Sequence, residues 1–287
     1  MDAKDQKFIR EFEKKIADTI KKYKLASKKD RVIVAVSGGK DSTTVLYLLN
    51  KFGFKPQALF IDLAMGRWSD INMQNMKKFC KDSGIKLHIV DIRKQIGGSI
   101  CYIKSVIRSK FKLNQCIICG IIKRWILNKE ARRLKMTKIA TGHNIDDEAQ
   151  NVMMNWMKGN MQLSLNLGPM TGTVADKKFV ARIKPLYFTI EKDVERYSKL
   201  MKFPVQYKRC PCAIGTYRVD LRAILDKIKD SRQVKQNLVS HFMKMLPKMR
   251  QKLGKNNQVQ YCKLCGEPAR HDVCNKCQMM EKFTSIK

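Results

Sequence analysis

A parallel α/β sheet, doubly wound with helices on both faces, is the fold this sequence predicts. From residue 31 to about residue 160, short apolar runs alternate with amphipathic helical stretches, the pattern of strands joined by right-handed crossovers. The chemically distinctive residues fall where those runs end, as expected of a sheet whose ligands sit beyond the carboxyl ends of its strands.

Each element has its own reason. Phe8, Phe12, Ile16 and Ile20 recur at four-residue spacing among lysines, so residues 7–25 read as an amphipathic helix that packs on the body of the protein. Strands are expected at 31–36, 57–62, 87–92 and 138–141, and helices at 42–52, 69–83, 99–110, 120–135 and 146–158. After Gly159 the chain loosens into a loop to about Asp176, followed by a strand over 179–186 and a helix over 190–201. Met153, Met154 and Trp156 are expected in the core. Residues 216–253 look helical and strongly basic, with Pro247 expected to kink or end them. A polar linker at 254–260 leads to a cysteine-rich end. The division that follows is an N-terminal helix (1–29), an α/β domain (30–215), a basic helical segment (216–255) and a small cysteine module (256–287).

The hexapeptide Ser37-Gly38-Gly39-Lys40-Asp41-Ser42 stands between the first strand and its helix. Such a turn aims backbone N–H groups and the positive end of a helix dipole at one small volume, which suits a phosphate. Two adjacent glycines allow a close approach to the anion. The spacing is not that of the Walker loop, since no second glycine stands five residues before Lys40. Asp62 and Gly142-His143-Asn144 also fall at strand ends and should share the crevice. Asp62 has a plain alternative as the cap of the next segment. Asp146, Asp147 and Glu148 suit a helix N-terminus whatever else they do, and His143 reads as a pocket or core residue rather than a metal ligand.

Lysine plus arginine total 59 against 25 acidic residues, a formal charge of +34. A polyanionic partner is the direct reading, because each neutralised phosphate releases a counterion. A lysine-rich surface that merely reflects genomic composition is the plain alternative. For the lysines and arginines of 216–253, a solvated face and an RNA surface are equally compatible with the sequence. No apolar run approaches the ~20 residues of a membrane span, and the start of the chain has no secretory pattern. A cytoplasmic protein without membrane contact is expected.

Ten cysteines in such a chain argue for metal rather than disulfides. Cys262-x-x-Cys265 and Cys274-x-x-Cys277 supply four thiolates with the spacing of a tetrahedral, structural Zn2+ site, with His271 as a possible variant ligand. Cys116-x-x-Cys119 precedes a helix, where thiolate chemistry is favoured. It fits a redox dithiol, half of a second zinc site, or part of an iron–sulfur cluster, and the Cys210-Pro211-Cys212 segment could add ligands. Cys80 and Cys101 stand alone and are expected to be buried thiols.

Together, the loop 37–42, the segment Cys116-Ile117-Ile118-Cys119-Gly120 with Lys123-Arg124, and the run from Thr141 to Gln150 resemble the tRNA 2-thiolation family of the TtcA/TtuA type. Cys210-Pro211 and the four-cysteine end are similar to the TtuA branch, which includes archaeal and eukaryotic wobble-uridine thiolases. The resemblance implies a Rossmann-like PP-loop fold of the adenine nucleotide α-hydrolase type, with tRNA as substrate and ATP as co-substrate. It implies ATP binding by Ala35, Val36, Ser37, Asp41, Ile61, Lys123 and Gly142, with pyrophosphate held by Ser37, Gly38, Gly39, Lys40, Asp41 and Ser42. It further implies a 4Fe–4S cluster on Cys116, Cys119 and Cys210, Zn2+ on Cys262, Cys265, Cys274 and Cys277, and action at the reacting centre by Asp41, Lys123 and Asp147.

The reaction implied is adenylation of a uridine C2 oxygen, aided by Mg2+, then sulfur transfer. The sulfur donor is sulfide, a persulfide or a thiocarboxylated ubiquitin-like protein, and the working unit a homodimer. Cytidine 2-thiolation, lysidine synthesis and a non-enzymatic zinc RNA-binding protein are the alternatives. Two departures stand out: there is no cysteine before Cys80, where TtuA-type proteins commonly have another zinc module, and Cys-Pro-Cys replaces a frequent Cys-Pro-Tyr. Cys212 could be an alternative ligand, a sulfur relay or a buried replacement for the tyrosine, and the last is the expectation taken here.

Overall fold

A computed structural model describes residues 2–111, 115–172, 176–208, 210–212, 216–254, 259–269 and 271–284. The chain begins with α1 (Ala3–Lys22), capped by the Asp2 carboxylate, which accepts from the Asp5 amide at 2.7 Å. Strands and helices then alternate: β1 (Val32–Val36), α2 (Lys40–Lys51), β2 (Gln57–Asp62), α3 (Arg67–Asp82) and β3 (Leu87–Asp91). Next come α4 (Ile92–Ile96), α5 (Ile100–Phe111), α6 (Gln115–Arg133), β4 (Lys138–Ala140), α7 (Ile145–Met157) and α8 (Met161–Ser164). The rest is β5 (Met170–Thr171), β6 (Ala181–Ile183), α9 (Glu191–Leu200), α10 (Tyr217–Lys227), α11 (Ser231–Leu253), β7 (Gln260–Tyr261), β8 (Pro268–Ala269) and α12 (Asn275–Thr284).

The main sheet has the order β3-β2-β1-β4-β6-β5, parallel except for the antiparallel edge pair β5–β6. Alternate residues of the central strands enter different layers, as the two-residue period of a strand requires. Val32, Val34, Val36, Ala58 and Phe60 pack with α1, α2, α3 and α9, while Ile33, Leu59 and Ile139 pack with α5, α6 and α12. A further layer joins α7 to α10 and α11 through Ile145, Ala149, Val152, Leu225, Val239 and Phe242. The sheet reverses direction of growth between β1 and β4, which is where such folds open a crevice.

Several expectations need correction. The helix expected from residue 120 starts at Gln115, so Cys116 and Cys119 lie in its first turns rather than ahead of it. α4 was not expected; the Asp91 carboxylate caps it by accepting from the Arg93 amide. The strand expected over 179–186 is only β6: the Lys184 amide still pairs with the Pro169 carbonyl in the β5–β6 register, and Pro185 has no N–H to extend it. Within the loop after Gly159 lie α8 and β5, and residues 173–175 fall outside the described residues. The basic helical stretch breaks between α10 and α11, where Asp230 takes φ 54°, and Pro247 neither ends nor interrupts α11. Trp156 is exposed rather than in the core. Most of the expected linker, residues 255–258, is outside the described residues.

Among the described residues, no helix is long and apolar enough to cross a membrane. The N-terminal helix is part of the core, since Ile16 is wholly buried and Phe12 stacks on Tyr197 with ring centroids 4.4 Å apart. Truncating Ile16 to alanine should therefore cost about 2–5 kcal/mol. Urea denaturation of Ile16→Ala checks this, and a loss within error would mean α1 is only peripherally attached.

Candidate active site

The site is built at the carboxyl ends of β1 and β4. Gly38 takes φ 79°, and a β-carbon there would strike the Asn72 side chain at 2.5 Å, so both the turn and the space demand glycine. Gly39 is the N-cap of α2 and offers no side chain to cap it, which leaves the helix start facing the crevice. The Ser42 hydroxyl holds the loop closed, accepting from the Ser37 amide at 3.2 Å and donating to the Gly39 carbonyl at 3.3 Å. Gly142, just past β4, comes so near that a β-carbon would lie 2.6 Å from the Ser42 amide nitrogen.

Acidic and basic side chains interlock around this loop. The Lys40 ammonium donates to Glu191 at 2.8 Å and to Asp41 at 3.0 Å, and Asn144 donates to the other Asp41 oxygen at 3.0 Å. Asn144 also heads α7 in a capping box with Asp147. Burial raises the Asp41 pKa, opposed by Lys40 and reinforced by the like charges of Asp147 and Glu191. Loss of solvent also raises that of Asp147, although Arg218 stands 3.6 Å away. Both carboxylates would therefore gain from a cation. His143 is held neutral by desolvation and then by the positive charges of Lys184, Arg218, Lys123 and Arg182. Its Nδ1 pairs with the Thr141 hydroxyl at 2.9 Å.

Behind the crevice lie buried pairs: Lys184 with Glu148 at 2.7 Å and Lys235 with Asp146 at 2.7 Å. Ala35 and Ile61 share the sheet face that packs against α6. Asp62 is a cap: its carboxylate accepts from the Ala64 amide at 2.9 Å. Of the sequence-derived set, the structure brings together the loop 37–42, Gly142 and Asp147, with the Lys123 charge within reach of His143. Asn144 was expected in the crevice as part of Gly142-His143-Asn144, whereas Asn72, Glu191 and Arg222 were not singled out from the sequence. Only Asn144 carried a local signal, as an asparagine before an acidic first turn.

A second chemistry adjoins the first. Cys119 is buried on α6, and the thiols of Cys101, Cys119, Cys210 and Cys212 are near enough to influence one another, together with the buried Lys104. Cys116, exposed, is one turn before Cys119 on the same helix. Cys101 is therefore neither alone nor buried: it is exposed, with the thiol of half-buried Cys212 near enough to influence it. Burial, then the neighbouring Cys212, raises the pKa of Cys101. Cys212, expected as a buried replacement for a tyrosine, is half-buried with the Cys101 thiol as a neighbour. Cys80, by contrast, is buried as expected, with its pKa pushed up to about 11 by that burial. The segment leading to Cys210 is tied to the phosphate loop, since Gln206 forms a parallel bridge with Gly39 and its amide donates to the Gly38 carbonyl at 3.3 Å.

The C-terminal thiols differ. Cys262, Cys265, Cys274 and Cys277 place all their sulfurs within 4.8 Å of one another. The β7–β8 turn, with Gly266 at φ 66°, and the first turn of α12 form the two knuckles. Burial works against ionising Cys262, but backbone N–H groups of Cys274, Cys265 and Leu264 bring its pKa to about 6. His271 is not part of this group. Among the described residues the cysteines around Cys119 do not close to such single-ion spacing.

A family model of the PP-loop domain matches residues 8–205. The chain is 34% identical over 284 residues to a tRNA-5-methyluridine(54) 2-sulfurtransferase of Pyrococcus horikoshii, covering 99% of this chain and 87% of that one. It belongs to the PP-loop tRNA 2-thiolation family. It is also 31% identical over 282 residues to cytoplasmic tRNA 2-thiolation protein 1 of Drosophila pseudoobscura pseudoobscura, covering 96% of this chain and 80% of the relative. Among solved structures, the U34-tRNA thiolase NcsA from Methanococcus maripaludis with its [4Fe-4S] cluster superimposes with a TM-score of 0.77 at 26% identity, covering 96% of this chain and 88% of NcsA. The resemblance read from the motifs is thus confirmed, and the loop 37–42 is the family's PP-loop.

The approach of Gly142 to Ser42 gives a direct test of the loop's role in this PP-loop protein. Gly142→Ala should weaken ATP binding by about tenfold or more, because the added methyl displaces the loop's amides. Calorimetric titration with ATP checks it, alongside a thermal melt to show that the variant folds.

Proposed function

We propose that this chain is an ATP-dependent tRNA uridine 2-sulfurtransferase. The observation that carries the reading is that the segment ahead of the clustered cysteine Cys210 is bridged to the PP-loop, Gln206 to Gly39, which supports two adjacent chemistries. Activation and sulfur transfer need adjacent sites, because a carbonyl oxygen must be made a leaving group before sulfur can replace it. The P. horikoshii relative's name specifies uridine 54 and the NcsA description U34, which supports uridine as the base.

In the proposed reaction the C2 oxygen of the uridine attacks the α-phosphorus of ATP and pyrophosphate departs. The amides of the PP-loop and the N-terminus of α2 receive the pyrophosphate. Ala35, Val36 and Ile61 line the nucleotide's side of the sheet. Asp41 and Asp147 would hold Mg2+, whose charge offsets the burial that both carboxylates suffer. Lys123 on α6 neutralises charge on the α-phosphate and on the departing AMP.

Cys116, Cys119 and Cys210 would hold a 4Fe–4S cluster. The fit rests on the donor set: thiols from two segments of the chain gather here without closing to the spacing of a single ion. When bound, the cluster supplies activated inorganic sulfur. The donor of that sulfur belongs to the sulfide, persulfide or thiocarboxylate class. Cys262, Cys265, Cys274 and Cys277 would hold Zn2+ in a closed, structural site. The name of the Drosophila relative supports a cytoplasmic location.

Under anaerobic conditions, reconstituted protein with unmodified tRNA, ATP, Mg2+ and sulfide should yield 2-thiouridine by nucleoside mass spectrometry. Cys210→Ala should abolish the product and lower bound iron while leaving ATP binding intact. Product formed at wild-type rate by that variant would overturn the reading. Separately, Cys262→Ser should release zinc, measured by elemental analysis, and lower the melting temperature without removing iron.

A further inference from the structure

Cations around the crevice come with carboxylates. Lys40 has Glu191 and Asp41, Lys184 has Glu148, Arg218 has Asp147, Arg222 has Glu191, and Lys235 has Asp146. Lys123, Arg124 and Arg182 break that rule, and Arg182 of β6 is hydrogen-bonded to the backbone of Arg124. Among the described residues, none of the three takes part in an ion pair.

Instead Arg182 reaches the backbone of Arg124: half-buried, it donates from Nη2 to the Arg124 carbonyl at 3.4 Å, and its buried Nε has no partner. The Arg124 guanidinium folds back over its own helix, so that a β-carbon on Gly120 would lie 3.1 Å from Nη1. The pair feels its own repulsion: burial, then the charge of Arg124, lowers the Arg182 pKa to about 10. The Arg182 charge also reaches His143 at the end of β4, as does that of Lys123.

A half-buried guanidinium with an unused buried donor, within range of a second guanidinium and with no carboxylate, is a costly arrangement for the free protein. The cost is offset when an anion with several oxygens enters between them, since the planar fork matches a phosphate. The PP-loop follows β1, whereas Arg182 is on β6 with β4 between them. The nucleotide's terminal phosphates are therefore provided for elsewhere. A base that leaves its stack to reach the crevice needs its own backbone held nearby.

The geometry points to Arg124 and Arg182 as a phosphate-ester subsite that takes a backbone phosphate of the substrate RNA beside the nucleotide being modified. This rests on the tRNA reading above and adds to it a place where the RNA backbone docks.

The test compares Arg124→Met and Arg182→Met with the parent protein for unmodified tRNA binding over a range of salt, ATP binding, iron content and melting temperature. Each variant should bind tRNA about tenfold more weakly, with a salt slope shallower by about one phosphate. ATP affinity and iron content should stay unchanged. The melting temperature of Arg182→Met should hold or rise, because an unpaired charge has been removed. Arg182→Lys should restore the salt slope without full affinity, since it returns the charge and not the fork.

Unchanged tRNA affinity in both methionine variants overturns the proposal. Weaker ATP binding with tRNA binding intact overturns the RNA assignment and gives the pair to the nucleotide. Loss of iron alone makes Arg124 a counter-charge for the cysteines and likewise overturns it. If the parent protein binds no tRNA, the functional reading fails, a result separate from any failure of the subsite.

Discussion

The backbone after β4 comes so close to the start of α2 that no side chain fits at Gly142, where a β-carbon would stand 2.6 Å from the Ser42 amide. That contact joins the two halves of the sheet at the point where its strand order reverses. On one side is the PP-loop after β1. On the other is Asn144, which caps α7 and reaches across to Asp41 at 3.0 Å. The arrangement of amides, carboxylates and cations in the crevice follows from holding these two strand ends together. Asp146 extends the same frame outward: it accepts from the Glu191 amide at 2.8 Å and pairs with Lys235 of α11. The helices after the sheet are thus anchored to the N-terminal turn of α7.

Charge is distributed in two regimes. The formal +34 belongs to the whole chain, yet the buried cations around the site are mostly neutralised locally by carboxylates. These pairs contribute little net stability, because desolvation of both partners opposes their attraction. Their stronger effect is on geometry, since a buried charge that loses its partner is costly and each pair fixes two elements relative to each other. Lys184 with Glu148 links β6 to α7 in this way. The surplus positive charge is therefore left on the surface, including Lys123 and Arg124, and on half-buried Arg182, where no described carboxylate forms an ion pair.

Much of this was legible in the sequence. The central strands alternate residues between two apolar layers, so their positions were readable to within a residue or so at most ends, and the PP-loop and the four C-terminal cysteines carried their own spacing. What was not legible depended on tertiary contact. Cys101 looked solitary because its partner, Cys212, is more than a hundred residues away. Glu191 looked like an ordinary first-turn acid of α9, and only the fold brings it to Lys40 at 2.8 Å. The break between α10 and α11 has no glycine or proline to announce it, since Asp230 itself adopts the left-handed conformation. Pro247 misled in the opposite direction, as tertiary packing of Phe242, Leu246 and Met249 against Val152 carries α11 through it.

The two cysteine sites obey different physics. The C-terminal four are fixed by local knuckles, with sulfurs inside 4.8 Å and backbone amides aimed at them, so the ligand set forms from a span of sixteen residues, Cys262 to Cys277. That module is held by α12, whose Met279 and Phe283 enter the layer beneath α5 and α6. The site around Cys119 instead draws on α5, α6 and the 210–212 segment, and its assembly depends on the fold being complete. Its last segment is moored to the PP-loop by the Gly39–Gln206 bridge. The PP-loop backbone and the segment ahead of Cys210 are therefore coupled through one main-chain bridge. A site gathered this way depends on contacts between segments far apart in the chain, whereas the knuckles depend on local ones.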